Sequence, residues 1–510
     1  MKPARSDLMI NTLPFETEPL VKPTGFREYD ARWWFGGMGF DKAPELNLVG
    51  VQALGFGLGT LLHEMGVAPR IVVGHDFRFY SLTIKQALSL GLIQAGCHVL
   101  DIGLALSPVA YFAQFDLDAP AVAMVTASHN ENGWTGVKMG AARPLTFGPE
   151  EMGRLKDIVL GGKGVARPGG GIEQVQGMRE RYIADAVGDF RLSRPIKVVA
   201  ACGNGAAGAY APEALRAMGA EVVEMDCDLD WTFPKYNPNP EDAEMLHAMA
   251  DRVRETGADL AFGFDGDGDR CGVVDDSGEE IFADKIGLLL ARDMAVLHPG
   301  ATFVVDVKST GAYEIDPVLK AHGAKVDYFK TGHSYIKRRT NELDALAGFE
   351  KSGHFFLRAP YGRGYDDGLV AAKAVLAMLD RAGGAKLSAL KADLPLTWTS
   401  LTMSAHCGDE VKYGVIDAVV ADYVALAAAG GAILGRKIRD VNTVNGARVT
   451  LEDGSFVLAR ASSNKPELVV VVESTRSDDD MRALFHREVR PRLAANPEVG
   501  AYNQMVPEPA

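Results

Sequence analysis

The chain has 510 residues, of which 47% are hydrophobic and 24% are charged, ordinary values for a globular protein. Its formal net charge of −14 disfavours nucleic acid and anionic lipid as partners, because both repel an acidic surface. No run of about 18 apolar residues occurs, and the first residues lack the apolar core of a signal peptide. Five scattered cysteines, none in a Cys-x-x-Cys pair, argue against a disulfide framework or a zinc site and favour a reducing cytoplasm.

A pattern of strand, helix, helix-ending glycine and second strand occurs three times along the chain. The three copies begin with the apolar segments 70–74, 196–200 and 302–306, and their glycines are Gly96, Gly219 and Gly323. Glycine is typical of the end of a helix, and a strand–helix–strand order of this length predicts two parallel strands. Any α/β protein contains such units, so this pattern alone does not establish an internal repeat.

Each copy is followed by a further strand that runs into a polar, glycine-rich loop. These loops begin at Ser128, Asp265 and Glu350. In α/β sheets, ligands bind at the carboxyl ends of the strands. We therefore expect the three loops to converge on one cleft.

The pattern changes after about residue 396, where a helix at 412–429, strands at 447–451 and 468–472, and a last helix from Asp478 are predicted. The fold class predicted is α/β, with three similar α/β domains that contain mixed sheets and a smaller C-terminal α+β domain around a central cleft. A glycine-rich stretch and a Pro-Gly pair mark two of the boundaries. The predicted domains are 1–175, 176–297, 298–396 and 397–510.

The second loop, residues 265–270, carries three carboxylates at alternate positions. Like charges at this spacing repel each other, and a hard divalent cation with oxygen ligands removes the repulsion. An EF-hand calcium loop requires glycine at its sixth position and glutamate at its twelfth, whereas this loop has Arg270 and Asp276. A metal site formed by Asp265, Asp267 and Asp269 is the preferred interpretation over a calcium loop or a solvated acidic turn.

Residues 203–208 match the Gly-x-Gly-x-x-Gly pattern of dinucleotide-binding loops. They follow an apolar strand, and Glu224 lies near the spacing expected for a ribose-binding acid. However, the pattern opens the second unit, and no further feature of a hydride-transfer site accompanies it. Close packing of a strand and a helix explains the small residues equally well, so NAD binding is the less favoured interpretation.

The remaining loops carry signals that are weak when each is taken alone. Ser128 ends a strand but lies outside a Gly-x-Ser-x-Gly elbow, so it needs an activating neighbour to act as a nucleophile. Glu350, Ser352 and His354 offer an acceptor, a hydroxyl and an imidazole to the hydroxyls of a sugar. Arg460 lies in a polar loop of the last domain that suits a phosphate, and a basic surface turn is an equal alternative.

Taken together, six segments resemble the α-D-phosphohexomutase family in the family's own order. They are residues 26–32, 126–130 with 136–138, 265–270, 331–337, 350–354 and 460–466. The resemblance covers nearly the whole chain, and a chance match at all six segments in this order is implausible.

The resemblance implies an intramolecular phosphotransferase of the isomerase class that uses Mg²⁺ and a hexose 1,6-bisphosphate intermediate. It implies that Ser128 carries the phosphoryl group and also binds Mg²⁺ together with Asp265, Asp267 and Asp269. Arg32 and Lys138 are further catalytic residues, and His354 is the first choice of proton carrier, with His333 or Lys138 as alternatives. The implied substrate-binding residues are Tyr29, Arg270, Lys308, Glu350, Ser352, Arg460, Ser462, Ser463 and Asn464.

Within the family, the metal loop and the 460–464 loop are similar to those of bacterial phosphomannomutase/phosphoglucomutase enzymes. The implied reaction is the reversible conversion of a hexose 1-phosphate and a hexose 6-phosphate through a phosphoserine enzyme. A phosphoglucosamine mutase and a catalytically idle sugar-phosphate-binding protein are the alternatives. The expected partners are small hexose phosphates, with no nucleic acid and no membrane, and the expected location is the cytoplasm.

Overall fold

The computed structural model describes residues 2–36, 42–463 and 465–510. The chain divides into two compact units. The first unit contains the residues up to Ala283 together with Ser352–Ser388, and the second contains Asp284–Lys351 and Ala389–Ala510. Within the described ranges, no helix has both the length and the apolar character needed to cross a membrane.

A six-stranded mixed sheet forms the N-terminal part of the first unit. Its strands are β1 (Ala31–Trp34), β2 (Arg70–His75), β3 (His98–Leu104), β4 (Ala121–Val125), β5 (Trp134–Gly140) and β6 (Gly171–Gln174). Its helices are α1 (Leu13–Thr17), α2 (Leu48–Glu64), α3 (Ser81–Gln94), α4 (Ser107–Asp116) and α5 (Pro149–Leu160). The order is β1-β5-β4-β2-β3-β6, and only β1 and β5 pair antiparallel with their neighbours. Strand β4 is buried along its whole length and is apolar throughout, as is typical of a strand covered on both faces.

A five-stranded mixed sheet follows in the same unit. The helices of this part of the chain are α6 (Met178–Val187), α7 (Ala211–Ala217) and α8 (Ala243–Thr256). Helix α9 (Ala283–Leu297) comes after the last strand of the sheet. Its strands are β7 (Lys197–Ala201), β8 (Glu221–Met225), β9 (Leu260–Phe264), β10 (Cys271–Asp275) and β11 (Glu280–Ile281), in the order β11-β10-β9-β7-β8. Helix α8 begins where Asp242 accepts a hydrogen bond from the Glu244 N–H, and it ends at Gly257 with φ 62°.

The second unit begins with three parallel strands, β12 (Thr302–Asp306), β13 (Lys325–Phe329) and β14 (Ala347–Phe349). Strand β12 lies between the other two. The helices of this segment are α10 (Ala312–Ile315), α11 (Pro317–Ala321) and α12 (His333–Glu342). Strand β15 (Phe355–Leu357) and helix α13 (Gly368–Arg381) belong to the first unit. Helix α14 (Leu387–Ala392) spans the point at which the chain enters the second unit again.

An antiparallel sheet with helices on it forms the C-terminal part of the second unit. Its strands are β16 (Trp398–Thr399), β17 (Met403–His406), β18 (Ala432–Ile433), β19 (Arg436–Asn442), β20 (Ala447–Leu451), β21 (Phe456–Ala461) and β22 (Glu467–Ser474). Its helices are α15 (Lys412–Ala428), α16 (Asp478–Leu484) and α17 (Arg490–Ala494). Apolar residues of α15, β20, β21 and β22 form one core cluster.

The predicted fold class, three α/β domains and a smaller C-terminal domain, is confirmed. In each of the three repeats the first two strands are parallel neighbours, as predicted: β2 with β3, β7 with β8 and β12 with β13. The third strand, β4, β9 or β14, pairs parallel on the other side of the first. The loops beginning near Ser128, Asp265 and Glu350 follow these third strands. The residue numbers of the domain boundaries stay predictions.

Candidate active site

Ser128 lies in the tight loop between β4 and β5 and is almost completely buried. Its φ is 52°, in the left-handed region that non-glycine residues seldom adopt and that is common in functional loops. The Ser128 N–H donates to Thr126 Oγ1 at 2.9 Å, which holds the turn. The Ser128 hydroxyl donates to Asp265 Oδ2 at 2.9 Å. The first and second predicted loops therefore meet at this hydroxyl.

Three buried carboxylates, those of Asp265, Asp267 and Asp269, lie in the loop after β9. One ligand oxygen from each falls within 4.8 Å of the other two. At Gly266 an added Cβ would lie only 2.6 Å from the Ser128 carbonyl oxygen. Glycine is therefore required there for the metal loop and the serine loop to approach so closely.

Asp267 is the most heavily hydrogen-bonded of the three carboxylates. Its Oδ2 accepts from Ser107 Oγ at 2.6 Å, Thr126 Oγ1 at 3.1 Å and Lys138 Nζ at 2.7 Å. Lys138 also donates to Asp269. Burial by itself lowers the pKa of Lys138, but the charges of Asp267 and Asp269 outweigh burial and raise that pKa well above its usual value. Lys138 is therefore a fixed positive charge in this site.

The three carboxylates differ in how well their negative charge is balanced. Burial and the charges of Asp269 and Asp267 raise the pKa of Asp265 well above its usual value. Burial also works against an ionised Asp267, yet Lys138 lowers the pKa of Asp267. Among the described residues, Asp267 Oδ1 and Asp269 Oδ1 have no hydrogen-bond donor. Buried carboxylate oxygens without donors, beside a third carboxylate, are the ligands that a hard divalent cation prefers, so the trio is able to bind a metal ion.

Arg270 and His354 lie beside this trio. Arg270 Nε donates to His354 Nε2 at 3.1 Å, so Nε2 is the acceptor nitrogen of the ring in this arrangement. His354 Nδ1 lies 3.1 Å from Asp366 Oδ2 and 3.6 Å from Asp269 Oδ1. Arg270 Nη1 also donates to Glu241 at 3.0 Å. These contacts fix the orientation of the imidazole next to the metal loop.

Arg32, on β1, also contacts the serine loop. Its Nη1 donates to the Ala127 carbonyl oxygen at 2.8 Å and also to the side chain of Asn130, and its Nε donates to Asp30 Oδ2 at 2.9 Å. His129 lies within 3.2 Å of the Ser128 hydroxyl. Burial and the positive charges of Arg270 and Arg32 lower the pKa of His129 well below its usual value. His129 is therefore a neutral neighbour of Ser128.

Asp76 and Arg78 support the serine loop, and the sequence analysis missed both. Arg78 Nη2 donates to the carbonyl oxygens of Ser128 and Asn130 at 2.9 and 2.6 Å, and Arg78 pairs with Asp76. Asp76 Oδ2 accepts from the Ala127 N–H at 3.2 Å. A signal was available, because an acid and an arginine directly after β2 stand at the carboxyl edge where ligands bind.

Replacing Arg78 by lysine is expected to lower kcat about 10²-fold. Lysine keeps the charge beside Asp76 but lacks the planar guanidinium, which binds Asp76 through Nη1 and the two carbonyl oxygens through Nη2. A small displacement of a reacting group has an effect of this size. Steady-state kinetics should be combined with titration of a divalent cation, because the carboxylate trio keeps all its contacts and the affinity for that cation is expected to stay unchanged. Arg154→Lys, at an exposed ion pair with Glu64, is the matched control. An Arg78→Lys protein with full activity would contradict a positioning role.

The second unit contains the predicted residues Lys308, His333 and Glu350. Glu350 Oε1 accepts from the Gly332 N–H at 2.6 Å, which places the start of the His333 helix next to Glu350. Lys308 Nζ lies 3.8 Å from Asp306 Oδ2. Asp306, at the end of β12, also accepts from the Thr331 hydroxyl at 3.0 Å and the Lys351 N–H at 3.2 Å. Sequence reasoning missed Asp306, which joins the loops that follow all three strands of this sheet.

The predicted phosphate loop follows β21 in the second unit. Arg460 is buried, and its Nη1 donates to the Ala461 carbonyl oxygen at 2.8 Å. Ser462 Oγ accepts from the Lys465 N–H at 3.2 Å, which closes the turn, and Ser463 is partly exposed. Asn464, also predicted here, lies outside the described residues. The roles of these residues in substrate binding stay predictions.

A buried arginine of the last sheet, Arg448, was also missed. Its Nη1 donates to the carbonyl oxygens of Val307 and Ser309 at 2.6 and 2.9 Å, on either side of Lys308. Its guanidinium lies over the rings of Tyr328 and Phe456, at 4.1 and 3.6 Å from their centroids. No sequence motif marks this residue. Its effect is to hold the Lys308 loop against the C-terminal sheet.

The Gly-x-Gly-x-x-Gly segment at 203–208 packs tightly in the first unit. An added Cβ at Gly208 would lie 2.0 Å from the Cys227 carbonyl oxygen, and one at Gly205 would lie 3.3 Å from the Gly266 Cα. Glu224, the proposed ribose ligand, is exposed and pairs with Arg216 at 2.5 Å. Close packing therefore explains the small residues of this segment.

The structure brings Ser128, the three metal-loop aspartates, Lys138, Arg270, His354 and Arg32 together in the first unit. Tyr29 and Ser352 are buried residues of the same unit. The predicted sugar loop crosses the boundary between the two units along the chain: Glu350 belongs to the second unit, whereas Ser352 and His354 belong to the first. The remaining predicted residues, Lys308, His333, Arg460, Ser462 and Ser463, lie in the second unit.

Four family models match the chain in order. They describe phosphoglucomutase/phosphomannomutase α/β/α domains I, II and III, at residues 24–163, 180–278 and 282–397, and the C-terminal domain, at residues 416–490. Together they match most of the chain. The similarity therefore covers the loops of both units.

Similar proteins include two bacterial enzymes and one solved structure. A phosphomannomutase/phosphoglucomutase of Pseudomonas putida is 33% identical, over 90% of this chain and 93% of that protein. A phosphoglucomutase of Neisseria meningitidis is 32% identical, over 88% of this chain and 92% of that protein. A phosphoglucomutase/phosphomannomutase family protein of Burkholderia thailandensis superposes with a TM-score of 0.81 at 31% identity, covering 94% of this chain and 99% of its own.

Proposed function

This chain belongs to the phosphoglucomutase/phosphomannomutase family of isomerases, and on that premise we propose how its residues interconvert a hexose 1-phosphate and the hexose 6-phosphate. The proposed substrates are mannose and glucose phosphates. The observation that carries the proposal is the contact between the buried Ser128 hydroxyl and Asp265, at 2.9 Å, beside two further carboxylates. A serine buried among charged groups, in a left-handed turn, is suited to chemistry rather than to a solvated surface turn.

In the proposed cycle, phosphorylated Ser128 gives its phosphoryl group to the free hydroxyl of the sugar phosphate, which becomes a hexose 1,6-bisphosphate. As the new O–P bond forms, the sugar hydroxyl releases its proton. The Ser128 oxygen leaves with the electron pair of the broken O–P bond and takes up a proton. After the bisphosphate reorients, Ser128 attacks its other phosphorus atom and regains the phosphoryl group. Asp265 accepts the hydrogen bond of the free Ser128 hydroxyl at 2.9 Å and so orients the Ser128 oxygen for this attack.

Fixed positive charges stabilise the transferring phosphoryl group. Lys138 stays protonated because the carboxylates around it raise its pKa, so it acts as a charge rather than as a base. Arg270 and Arg32 supply two guanidinium groups, the first beside His354 and the second at the serine loop. Phosphoryl transfer depends mainly on positioning and on such charge stabilisation.

Asp265, Asp267 and Asp269 would hold Mg²⁺, with an oxygen of phosphorylated Ser128 as a further ligand. The two carboxylate oxygens without donors support this assignment, and Mg²⁺ with oxygen ligands is the usual ion of phosphoryl-transfer sites. When bound, Mg²⁺ supplies charge neutralisation to the transferring group.

The residues of the sugar and phosphate loops are proposed to bind and orient the substrate. Glu350 and Ser352 accept and donate hydrogen bonds at sugar hydroxyls, and His354 is the proposed proton carrier, with His333 as its alternative. The remaining proposed substrate-binding residues are Tyr29, Lys308, Arg460, Ser462, Ser463 and Asn464. The protein is proposed to act in the cytoplasm on small hexose phosphates, in agreement with five free cysteines.

The proposal is tested by offering purified protein three substrates in parallel, with Mg²⁺ and a trace of glucose 1,6-bisphosphate. The substrates are mannose 1-phosphate, glucose 1-phosphate and glucosamine 1-phosphate. We expect conversion of mannose or glucose 1-phosphate to the 6-phosphate. Conversion of glucosamine 1-phosphate alone would keep the reaction but replace the proposed substrate. No conversion, with no phosphate on Ser128, would favour the idle sugar-phosphate-binding protein.

A further inference from the structure

Two cysteines lie side by side at the carboxyl edge of the second sheet. Cys202 directly follows β7, Cys227 lies two residues after β8, and the two strands are parallel neighbours. Their sulfur atoms are 3.6 Å apart. The Cys202 N–H donates to the Met225 carbonyl oxygen at 3.1 Å, so the two chain segments are already held together. A disulfide needs the sulfurs to approach from 3.6 Å to about 2.05 Å.

The two thiols differ in access and in reactivity. All five cysteines lie in the described part of the chain, and Cys227 alone is only partly buried. The Cys227 thiol donates to the Cys202 sulfur at 3.6 Å and to the Ala200 carbonyl oxygen at 3.2 Å, and the neighbouring Cys227 together with burial raises the pKa of Cys202 well above its usual value. The thiols elsewhere are buried, and burial raises the pKa of Cys97 to about 11. Because Cys227 is the more exposed of the two thiols, it is the one that an oxidant in solution meets first.

We propose that Cys202 and Cys227 are a disulfide-forming site that responds to peroxides. The Cys227 thiolate attacks one oxygen of hydrogen peroxide, the O–O bond breaks, and Cys227 becomes a sulfenic acid while hydroxide leaves. The Cys202 sulfur then attacks the Cys227 sulfur and displaces hydroxide, which takes up the Cys202 proton and leaves as water. In total, two thiols are oxidised to one disulfide and one peroxide is reduced to two waters.

The disulfide joins two loops that lie next to the candidate active site. Asn204 already donates to the carbonyl oxygens of Asp226 and Asp228, at 2.7 and 2.8 Å. The first of these loops continues to Gly205, beside Gly266 of the metal loop. The second continues to Asn237, which donates to the carbonyl oxygen of His129. A covalent bond between the loops restrains both, so oxidation is expected to raise the thermal unfolding midpoint by roughly 5 °C.

The test is oxidation of fully reduced protein with a small excess of hydrogen peroxide, followed by intact-mass and peptide mass spectrometry. We expect a loss of about 2 Da, a Cys202–Cys227 linked peptide, two fewer titratable thiols, and reversal of all three by dithiothreitol. The unfolding midpoint is measured before and after oxidation.

Two variants distinguish the roles of Cys227 and Cys202, and a third serves as the control. Cys227→Ser is expected to abolish the mass loss and the midpoint shift, Cys202→Ser to leave a sulfenic acid on Cys227, and the control Cys407→Ser to behave as the parent does. The proposal is overturned if the parent protein keeps all its thiols, or if Cys227 becomes a sulfinic acid while Cys202 stays reduced. The mass measurement on the parent protein decides this even if a variant folds poorly.

Discussion

Replacing Ser128 by alanine is expected to lower kcat by at least about 10³-fold, because the proposed reaction has no other acceptor for the phosphoryl group. The Ser128 hydroxyl makes its hydrogen bond to Asp265, and Asp265 Oδ1 also accepts from the Arg270 N–H at 3.2 Å. The alanine variant therefore keeps the metal loop in place. Its Mg²⁺ affinity is expected to change little in the unphosphorylated form.

The measurement combines mutase kinetics with mass spectrometry of the peptide that contains Ser128. Parent protein incubated with glucose 1,6-bisphosphate should carry one phosphate on this peptide, and the alanine variant should carry none. Ser193→Ala is the matched control, because Ser193 is an exposed hydroxyl that bonds to Asp380. An alanine variant with nearly full activity would refute the phosphoserine mechanism, whatever sugar the enzyme prefers.

Replacing Asp265 by asparagine is expected to have opposite effects on stability and on activity. Since the pKa of Asp265 is raised in the folded protein, the ionised side chain destabilises the metal-free fold. For such a group, stability is lost as the pH rises above the ordinary Asp pKa of about 3.9, and the loss is complete above the raised pKa. In the presence of a chelator at pH 7, the Asn variant should therefore unfold at the same temperature as the parent or at a higher one.

The same substitution removes a proposed Mg²⁺ ligand. Mg²⁺ affinity is expected to fall at least about 10-fold, and kcat about 10²-fold or more, since a metal ion supplies several kcal/mol of transition-state stabilisation. Thermal unfolding with and without Mg²⁺, together with kinetics, checks both effects. Asp251→Asn, at an exposed position of α8 next to Arg254, is the control. A strongly destabilised metal-free Asn variant, or one that binds Mg²⁺ as the parent does, would contradict the assignment.

Local patterns in the sequence were sufficient for the metal loop. Three aspartates at alternate positions after an apolar strand cannot be stable close together without a cation. Residues 265–270 are therefore recognisable as a metal loop from their own sequence. The three strand–helix–strand repeats were predictable for a similar reason. A glycine that ends a helix and the apolar strand that comes next lie within about ten residues of each other, so both can be recognised locally. The parallel pairs β2/β3, β7/β8 and β12/β13 agree with the order predicted from them.

Supporting residues were not predictable in the same way. Arg78 and Ser128 are 50 positions apart, and Arg448 and Val307 are 141 positions apart. A hydrogen bond to a backbone carbonyl oxygen leaves no side-chain pattern at the accepting residue. The roles of the buried arginines that hold the Ser128 and Lys308 loops can therefore be recognised only in the folded structure.

Two places in the second sheet show what only packing decides. The Gly-x-Gly-x-x-Gly segment at 203–208 fitted a dinucleotide loop as well as close packing, and the contact of Gly208 with the Cys227 carbonyl oxygen favours packing. Cys202 and Cys227 are 25 positions apart and form no sequence motif. Their proximity arises because β7 and β8 are parallel neighbours, so the residues after them lie at the same edge.

The sequence by itself determined the α/β class, the three strand–helix–strand units and the metal loop, because each is encoded by neighbouring residues. It also identified the serine that resembles a phosphate carrier, through the order of six segments along the chain. Only the tertiary structure decided the electrostatics of the site. Lys138, on β5, lies at the metal loop because β5 pairs with β4 in the register that sets Lys138 opposite Met124. Burial then makes these charges depend strongly on one another, so that one aspartate has a raised pKa and its neighbour a lowered one. Neither burial nor the distance between remote charges is written in a local pattern of residues.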